Sequence, residues 1–227
     1  MYLLTEILDF FLPRICPGCG TRLTVEEKAV CPTCLNKIKL ASPERLCREF
    51  ERKFQGKNII SGFTSLYVFE EGKEFQNIIH ALKYNGRFAI GTYLGEQLGK
   101  ALLEQTVRWQ IDLIIPIPLH QLKKAERGYN QSFYIAKGVS RILNVPVKQG
   151  IVKRKKFTQS QTTMNLMERE ENVHGAFKIR KFKDPPGKNI LLIDDVITTG
   201  ATISECGRIL LKASANKVYA ASSAIAD

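Results

Sequence analysis

The sequence predicts an α/β fold, a mostly parallel sheet flanked by helices, with a small cysteine-bearing module at the amino end. Three observations predict it. Ile190-Leu191-Leu192-Ile193 is apolar at four successive positions, the pattern of a strand buried on both faces. Runs of that kind alternate with helical patterns over most of the chain, the order that builds a parallel sheet with crossover helices. Ahead of them, Cys16-Pro17-Gly18-Cys19 and Cys31-Pro32-Thr33-Cys34 form two paired-cysteine knuckles separated by eleven residues, which suits four thiolates around one tetrahedral ion.

The elements follow in order. Met1 to Leu12 places Leu4, Ile7, Leu8 and Phe11 on one helical face. It lacks a basic start and a small-residue cleavage site and is too short to span a bilayer, so it reads as a docking helix. Residues 1–40 are thus docking helix and ribbon. Residues 41–58 are densely charged and read as a helical linker, and residues 59–227 form the main domain. There, Ile59 to Phe69 alternates and is aromatic-rich, a strand or hairpin. Glu74 to Tyr84 sets Phe75, Ile78, Ile79 and Leu82 on one helical face and ends at Asn85-Gly86. Ala89 to Thr106 reads as one helix, Ile111 to Ile117 as a buried strand, and Tyr129 to Leu143 as a helix. One strand is expected within Val145 to Val152, another over Asn189 to Ile193, and another over Lys217 to Ala221.

A chain of 227 residues fits one medium domain plus a small module. Its net charge of +12 implies anionic partners: phosphorylated small molecules, nucleic acid, or both. No segment reads as a transmembrane helix, so no stable membrane insertion and a cytoplasmic address are expected. Disulfides between Cys16, Cys19, Cys31 and Cys34 fit that compartment poorly. The four are read as ligands of a structural Zn²⁺ that supplies folding energy so short a segment lacks. Gly18 and Gly20 permit tight turns that aim backbone N–H groups at sulfur. Cys47 stands without a partner at ligand spacing, and Cys206 reads as core.

The chemistry concentrates after the strand at 190–193. Asp194 and Asp195 stand at its carboxyl end, where open α/β sheets hold ligands. Two adjacent carboxylates are costly in a packed core and suit acceptance of hydrogen bonds from a vicinal diol. Thr198, Thr199 and Thr202 offer hydroxyls, and Gly200 lets the backbone approach an anion closely. A helix starting near Ala201 presents free N–H groups and the positive end of its dipole, a phosphate site. A plain strand–turn–helix with a capping Thr and solvated Asp residues has the same order. The stretch Ile193-Asp194-Asp195-Val196-Ile197-Thr198-Thr199-Gly200-Ala201-Thr202 closely resembles the thirteen-residue motif of type I phosphoribosyltransferases, which bind phosphoribosyl pyrophosphate (PRPP). The resemblance implies that Asp194 and Asp195 take the ribose hydroxyls. It implies that the following turn, Val196 and Ile197 to Thr202, takes the 5′-phosphate, with Mg²⁺ on PRPP oxygens beside the acids.

A second block follows the strand at 111–117: His120-Gln121-Leu122-Lys123-Lys124-Ala125-Glu126-Arg127-Gly128-Tyr129-Asn130-Gln131-Ser132. It reads as a basic loop in which Arg127 is suited to a pyrophosphate through two parallel hydrogen bonds. Arg127-Gly128-Tyr129-Asn130-Gln131 with Pro116-Ile117-Pro118 resembles the ComF family of competence-associated phosphoribosyltransferase-like proteins. The order Arg154, Thr158, Gln161, Leu166, Arg169, Asn172 and Phe177 is similar to theirs, in the region where type I phosphoribosyltransferases carry a loop that closes over PRPP. Arg154 and Arg169 are candidate anion contacts there. His120 and His174 are candidate acid–base groups, although a lone His is more often structural. The zinc ribbon is itself a usual ComF feature, and with only Cys47 beyond the second knuckle one zinc site is expected, not two.

The resemblance implies a PRPP-binding, type I phosphoribosyltransferase-like protein serving DNA uptake in natural transformation. Single-stranded DNA and a DNA-uptake helicase or other competence protein are the partners it implies. It equally accommodates an active phosphoribosyltransferase in nucleotide metabolism, using Asp194, Asp195, Arg127 and Arg169, for which no segment names the acceptor. Lys83-Tyr84-Asn85-Gly86-Arg87 is a candidate for the hood above the ligand. The ribbon has no aromatic residue between Cys16 and Cys34, which weakens it as a base-stacking module.

Overall fold

The structure, a computed structural model, describes residues 13–156, 173–180 and 186–226. The expected docking helix over Met1 to Leu12 and the stretch holding Thr158, Gln161, Leu166, Arg169 and Asn172 lie outside the described residues. Along the chain the elements are α1 (Pro32–Lys37), α2 (Pro43–Lys53), β1 (Gly62–Val68), α3 (Glu74–Tyr84), α4 (Phe88–Ala101), α5 (Leu103–Trp109), β2 (Leu113–Pro116), α6 (Gln121–Arg127), α7 (Gln131–Leu143), β3 (Val152–Arg154), β4 (Phe177–Ile179), β5 (Asn189–Ile197), α8 (Ala201–Lys212) and β6 (Lys217–Ile225).

Four strands form a wholly parallel sheet in the order β1-β6-β5-β2. The pleat sends alternate side chains of β5 into two cores. Leu191 and Ile193 pack with α3, α4, α7 and the ribbon residues Cys16, Val30 and Cys34. Ile190 and Leu192 pack with α8, Phe54 and the β3–β4 hairpin. That double burial is why the strand is apolar at every position from 190 to 193. No helix among the described residues is long and apolar enough to cross a membrane.

Helices α4 and α7 meet backbone to backbone. A Cβ on Gly95 would lie 2.0 Å from the Ile135 carbonyl oxygen, and one on Gly138 would lie 2.1 Å from that of Thr92. Only hydrogen at those positions allows the approach, and the approach fixes the amino end of α7 over the carboxyl end of the sheet.

Four expectations change. The helix expected over Ala89 to Thr106 divides at Leu102, which is fully buried and anchors the turn. Beyond it Trp109 stacks on Tyr219 with ring centroids 4.6 Å apart. The strand expected within Val145 to Val152 is reduced to one bridge, and β3 begins only at its last residue. Val147 makes a single parallel bridge to Ile114, because Pro146 has no N–H to continue a ladder, and β3 starts only after Gly150 turns the chain at φ +80°. The basic block after β2 is not a loop throughout: Gln121–Arg127 is helical, with His120 capping the Leu122 amide at 3.3 Å and Gly128 closing it at φ +77°. Strand β5 continues through the acid pair to Ile197, because β6 runs beside it and pairs Ile197 with Ile225.

The charged stretch 41–58 is packed on the sheet. Ser42 caps α2 by accepting from the Arg45 amide at 3.2 Å, and Pro43 opens the helix, where it needs no N–H partner. At its carboxyl end Lys53 and Phe54 are buried, and Phe54 meets Phe63 of β1 at a centroid distance of 5.5 Å.

Candidate functional site

In the ribbon the sulfurs of Cys16, Cys19, Cys31 and Cys34 lie within 4.8 Å of one another. Cys19 and Cys31 are 3.7 Å apart, close to the roughly 3.8 Å edge of a tetrahedron with Zn–S bonds of about 2.3 Å. All four are free thiols. The amides of Cys31 and Cys34 donate to the sulfurs of Cys16 and Cys31 at 3.4 Å each. A Cβ on Gly18 would sit 2.7 Å from the Cys34 sulfur, so the knuckle closes only around glycine. Burial pushes the Cys31 and Cys34 thiols up. Several thiolates in this space therefore need a cation, and the four-sulfur set fits structural zinc.

The second cluster is the carboxyl end of β5. Asp194 accepts from Ser132 Oγ at 3.0 Å and from the Asp195 amide at 2.9 Å. Asp195 is 5% exposed, not solvated, and its Oδ2 lies 2.6 Å from Lys83 Nζ. That contact is a close ion pair between a largely buried carboxylate and an ammonium. Burial first, then the Asp195 charge, pushes Asp194 up to about 8. Burial opposes ionisation of Asp195 as well, but the Lys83 ammonium outweighs it and holds that carboxyl below its ordinary range. Near neutral pH the pair therefore holds one proton, and offers a diol one donor and one acceptor.

Cations gather at the same edge. Burial, then Arg127, Arg154 and Lys83, pulls the Lys123 ammonium down, so three further basic groups lie within electrostatic reach of Lys123. Arg127 donates to Gln131 Oε1 at 3.1 Å and to Tyr84 Oη at 3.2 Å, with its guanidinium 4.9 Å above the Tyr84 ring. Arg154 stands over Phe177 at 5.4 Å. A cavity of about 260 Å³ opens beside it, lined by Pro116, Pro118, Lys124, Asn130, Lys153 and Arg154. His120 is spent as a cap, and the exposed His174 lies 3.9 Å from the buried Glu205 of α8.

The turn after β5 has the shape of an anion cradle. Gly200 takes φ +76° and α8 begins at Ala201, so the first-turn N–H groups point out of the helix. Thr198 is exposed, Thr199 and Thr202 are half-buried, and Val196 and Ile197 lie in the ladder. Helix α2 holds the turn from outside. Lys53 Nζ donates to the Thr198 carbonyl and, at 3.1 Å, to that of Ala226. A Cβ on Gly200 would meet the Phe54 ring at 2.8 Å.

Residues 7–62 match the double zinc ribbon domain and residues 129–225 the phosphoribosyl transferase domain. Competence protein F of Haemophilus influenzae is 34% identical over 139 residues, covering 60% of this chain and 61% of that protein. DNA utilization protein YhgH of Shigella flexneri is 29% identical over 202 residues, covering 87% of this chain and 84% of that protein. This chain is a ComF-like protein. Amidophosphoribosyltransferase of Escherichia coli K12 is 32% identical over 146 residues, 62% of this chain and 25% of that protein.

Within this ComF-like chain the structure brings together Asp194, Asp195, Arg127, Arg154 and the turn to Thr202, while Arg169 lies outside the described residues. Sequence reasoning named Lys83 only within the hood segment and Ser132 only within the basic block, gave neither a role at the acid pair, and did not single out Lys53. Lys83 and Lys53 are the basic last-turn residues of α3 and α2, an ordinary position for cations at helix ends, and nothing local ties them to a strand more than a hundred residues on.

Proposed function

We propose that this ComF-like protein binds PRPP at the carboxyl end of β5 and serves DNA uptake in natural transformation from the cytoplasm. Asp194 and Asp195 take the ribose diol, and Val196 through Thr202 cradle the 5′-phosphate. Arg127, with Arg154 and Lys123 near, meets the pyrophosphate, and Arg169 is a further candidate contact. The observation that carries the reading is the acid pair: buried Asp195 against Lys83 and half-buried Asp194 against Ser132 stand beside a Gly200 turn and a set of cations, a combination matched to a phosphorylated sugar. Mg²⁺ fits beside it, since carboxylate oxygens are the donors that ion takes, and when bound it would supply neutralisation of pyrophosphate charge. The chain's own groups position the sugar and lower the cost of charge at the departing side. Single-stranded DNA and a DNA-uptake helicase or other competence protein are the proposed macromolecular partners.

The likeness to an amidophosphoribosyltransferase favours a second reading, an active phosphoribosyltransferase with an acceptor still to be identified. Two experiments decide. Calorimetric titration with PRPP and Mg²⁺ is expected to show saturable binding that the double variant Asp194→Ala, Asp195→Ala loses; a wild-type protein that does not bind sinks the proposal. Pyrophosphate release assayed across nucleobases separates the readings, with silence throughout favouring the non-enzymatic one.

A further inference from the structure

We infer that the exposed aromatic and cationic face built by α3, α4 and α7 is a track for single-stranded nucleic acid. Its rings stack on bases and its cations meet the phosphates. The inference rests on the DNA-handling part of the function proposed above and gives it a location.

Rings from distant parts of the sequence form a chain on this face. His80 and Tyr84 lie 4.8 Å apart at the end of α3. Phe88 at the start of α4 stacks on Tyr134 of α7 at 4.9 Å and 27°. Tyr129 approaches Phe88 edge-on at 6.3 Å, and Phe133 meets Tyr134 at 5.5 Å. Arg127 over Tyr84 and Tyr129 two residues on link the two groups. Tyr84 and Phe88 are each 50% exposed. Folding does not account for them: the core beneath is filled by Ile78, Leu82, Ile90 and Leu94, all at 2% exposure or less.

Cations sit on the rings. Besides Arg127, Lys137 Nζ lies 5.7 Å above the Phe133 ring and 5.9 Å from that of Tyr134. Lys83 and Lys123 border the same edge, and Glu126 is the acid near Lys123. Tyr and Arg are also favoured at protein interfaces. Here, however, the rings carry cations on a chain of net charge +12, so the complementary partner is a polyanion that exposes flat apolar faces. Single-stranded nucleic acid has both properties, whereas a duplex hides its base faces by stacking. The ribbon lacks aromatic residues between its knuckles, and this face supplies what it lacks.

The test is fluorescence anisotropy of the zinc-loaded full chain with a labelled oligothymidylate and with a duplex of equal length, over a range of salt. Wild type is expected to prefer the single strand. Phe88→Ala is expected to weaken it about fivefold or more through lost stacking. Lys137→Ala, at an exposed position, is expected to reduce the salt slope by about one. Unchanged PRPP titration and zinc content show that these variants fold. If both variants bind the single strand as wild type does, this face is wrong while the DNA reading stands. If wild type prefers the duplex, the inference is overturned; if it binds neither, the direct DNA contact proposed above falls with it.

Discussion

The thiol cluster of the ribbon and the carboxyl pair of β5 both crowd groups that repel one another once ionised, and each resolves the conflict differently. In the ribbon four sulfurs converge within 4.8 Å with three of the cysteines buried, and the geometry leaves no open ligand position. The pair on β5 has a built-in cation, Lys83, and an Asp194 whose ionisation burial opposes, and it lies at the carboxyl end of the sheet. A closed cluster suits an ion that stays and holds the fold. A half-neutralised pair with Asp194 only half-buried suits a ligand that exchanges.

Breaking the ribbon has the largest expected effect. Cys34→Ser should abolish zinc binding measured by metal analysis and unfold the ribbon, exposing Val30 and Leu23, which lie in the core shared with α3 and α4. Free energies of about 10 kcal/mol accompany structural zinc in small domains, more than a segment of this size supplies by burial.

Removing the built-in cation comes next. Lys83→Met leaves Asp195 buried beside Asp194 without its ion pair, and should cost about 3 kcal/mol in urea unfolding at pH 8. The loss should shrink at pH 5, where the orphaned carboxyl can take a proton.

The third effect is a pH slope. The folded-state pKa of Asp194 is raised from 3.8 to about 8, so its contribution to stability is full below the unfolded value and is lost as pH rises through 8. Asp195, held down by Lys83, works the opposite way and loses its contribution only in acid. Asp194→Asn, which cannot ionise, should therefore raise the thermal midpoint of the ligand-free protein above pH 8, by about 2 °C or more, and flatten the decline that this group causes as pH rises from 5 to 8. A calorimetric scan series from pH 5 to 9 checks it.

The smallest effect is at the seam between ribbon and domain. Lys28 and Glu96 approach at 3.8 Å with the lysine side chain 72% exposed, and Lys28→Ala should change stability by less than about 1 kcal/mol.

Legibility in the sequence follows the same division. Strands β2 and β5, helices α3 and α7, and the cysteine knuckles each carry their signal within a few residues: double-faced apolar runs, one apolar stripe, ligand spacing. Helix α6 was missed because Gln121-Leu122-Lys123-Lys124-Ala125-Glu126-Arg127 buries no residue and has no apolar face to reveal a period; only His120 and Gly128 mark its ends. The extension of β5 through its acids depends on β6, not on its own residues. The acid pair and the Gly200 turn were legible, but the groups that tune them were not. Lys83 reaches Asp195 and Lys53 reaches Thr198 only through the fold, and the aromatic face assembles from three helices.

The central claim is that the two clusters have separate roles, one holding the fold and one holding the ligand. Amide hydrogen exchange of the zinc-loaded chain with and without PRPP and Mg²⁺ tests it most directly. The account predicts added protection across residues 189–202 and around Lys83, with residues 14–38 unchanged. Added protection of the ribbon equal to that of the β5 edge, or none at 189–202 with PRPP saturating, would contradict it.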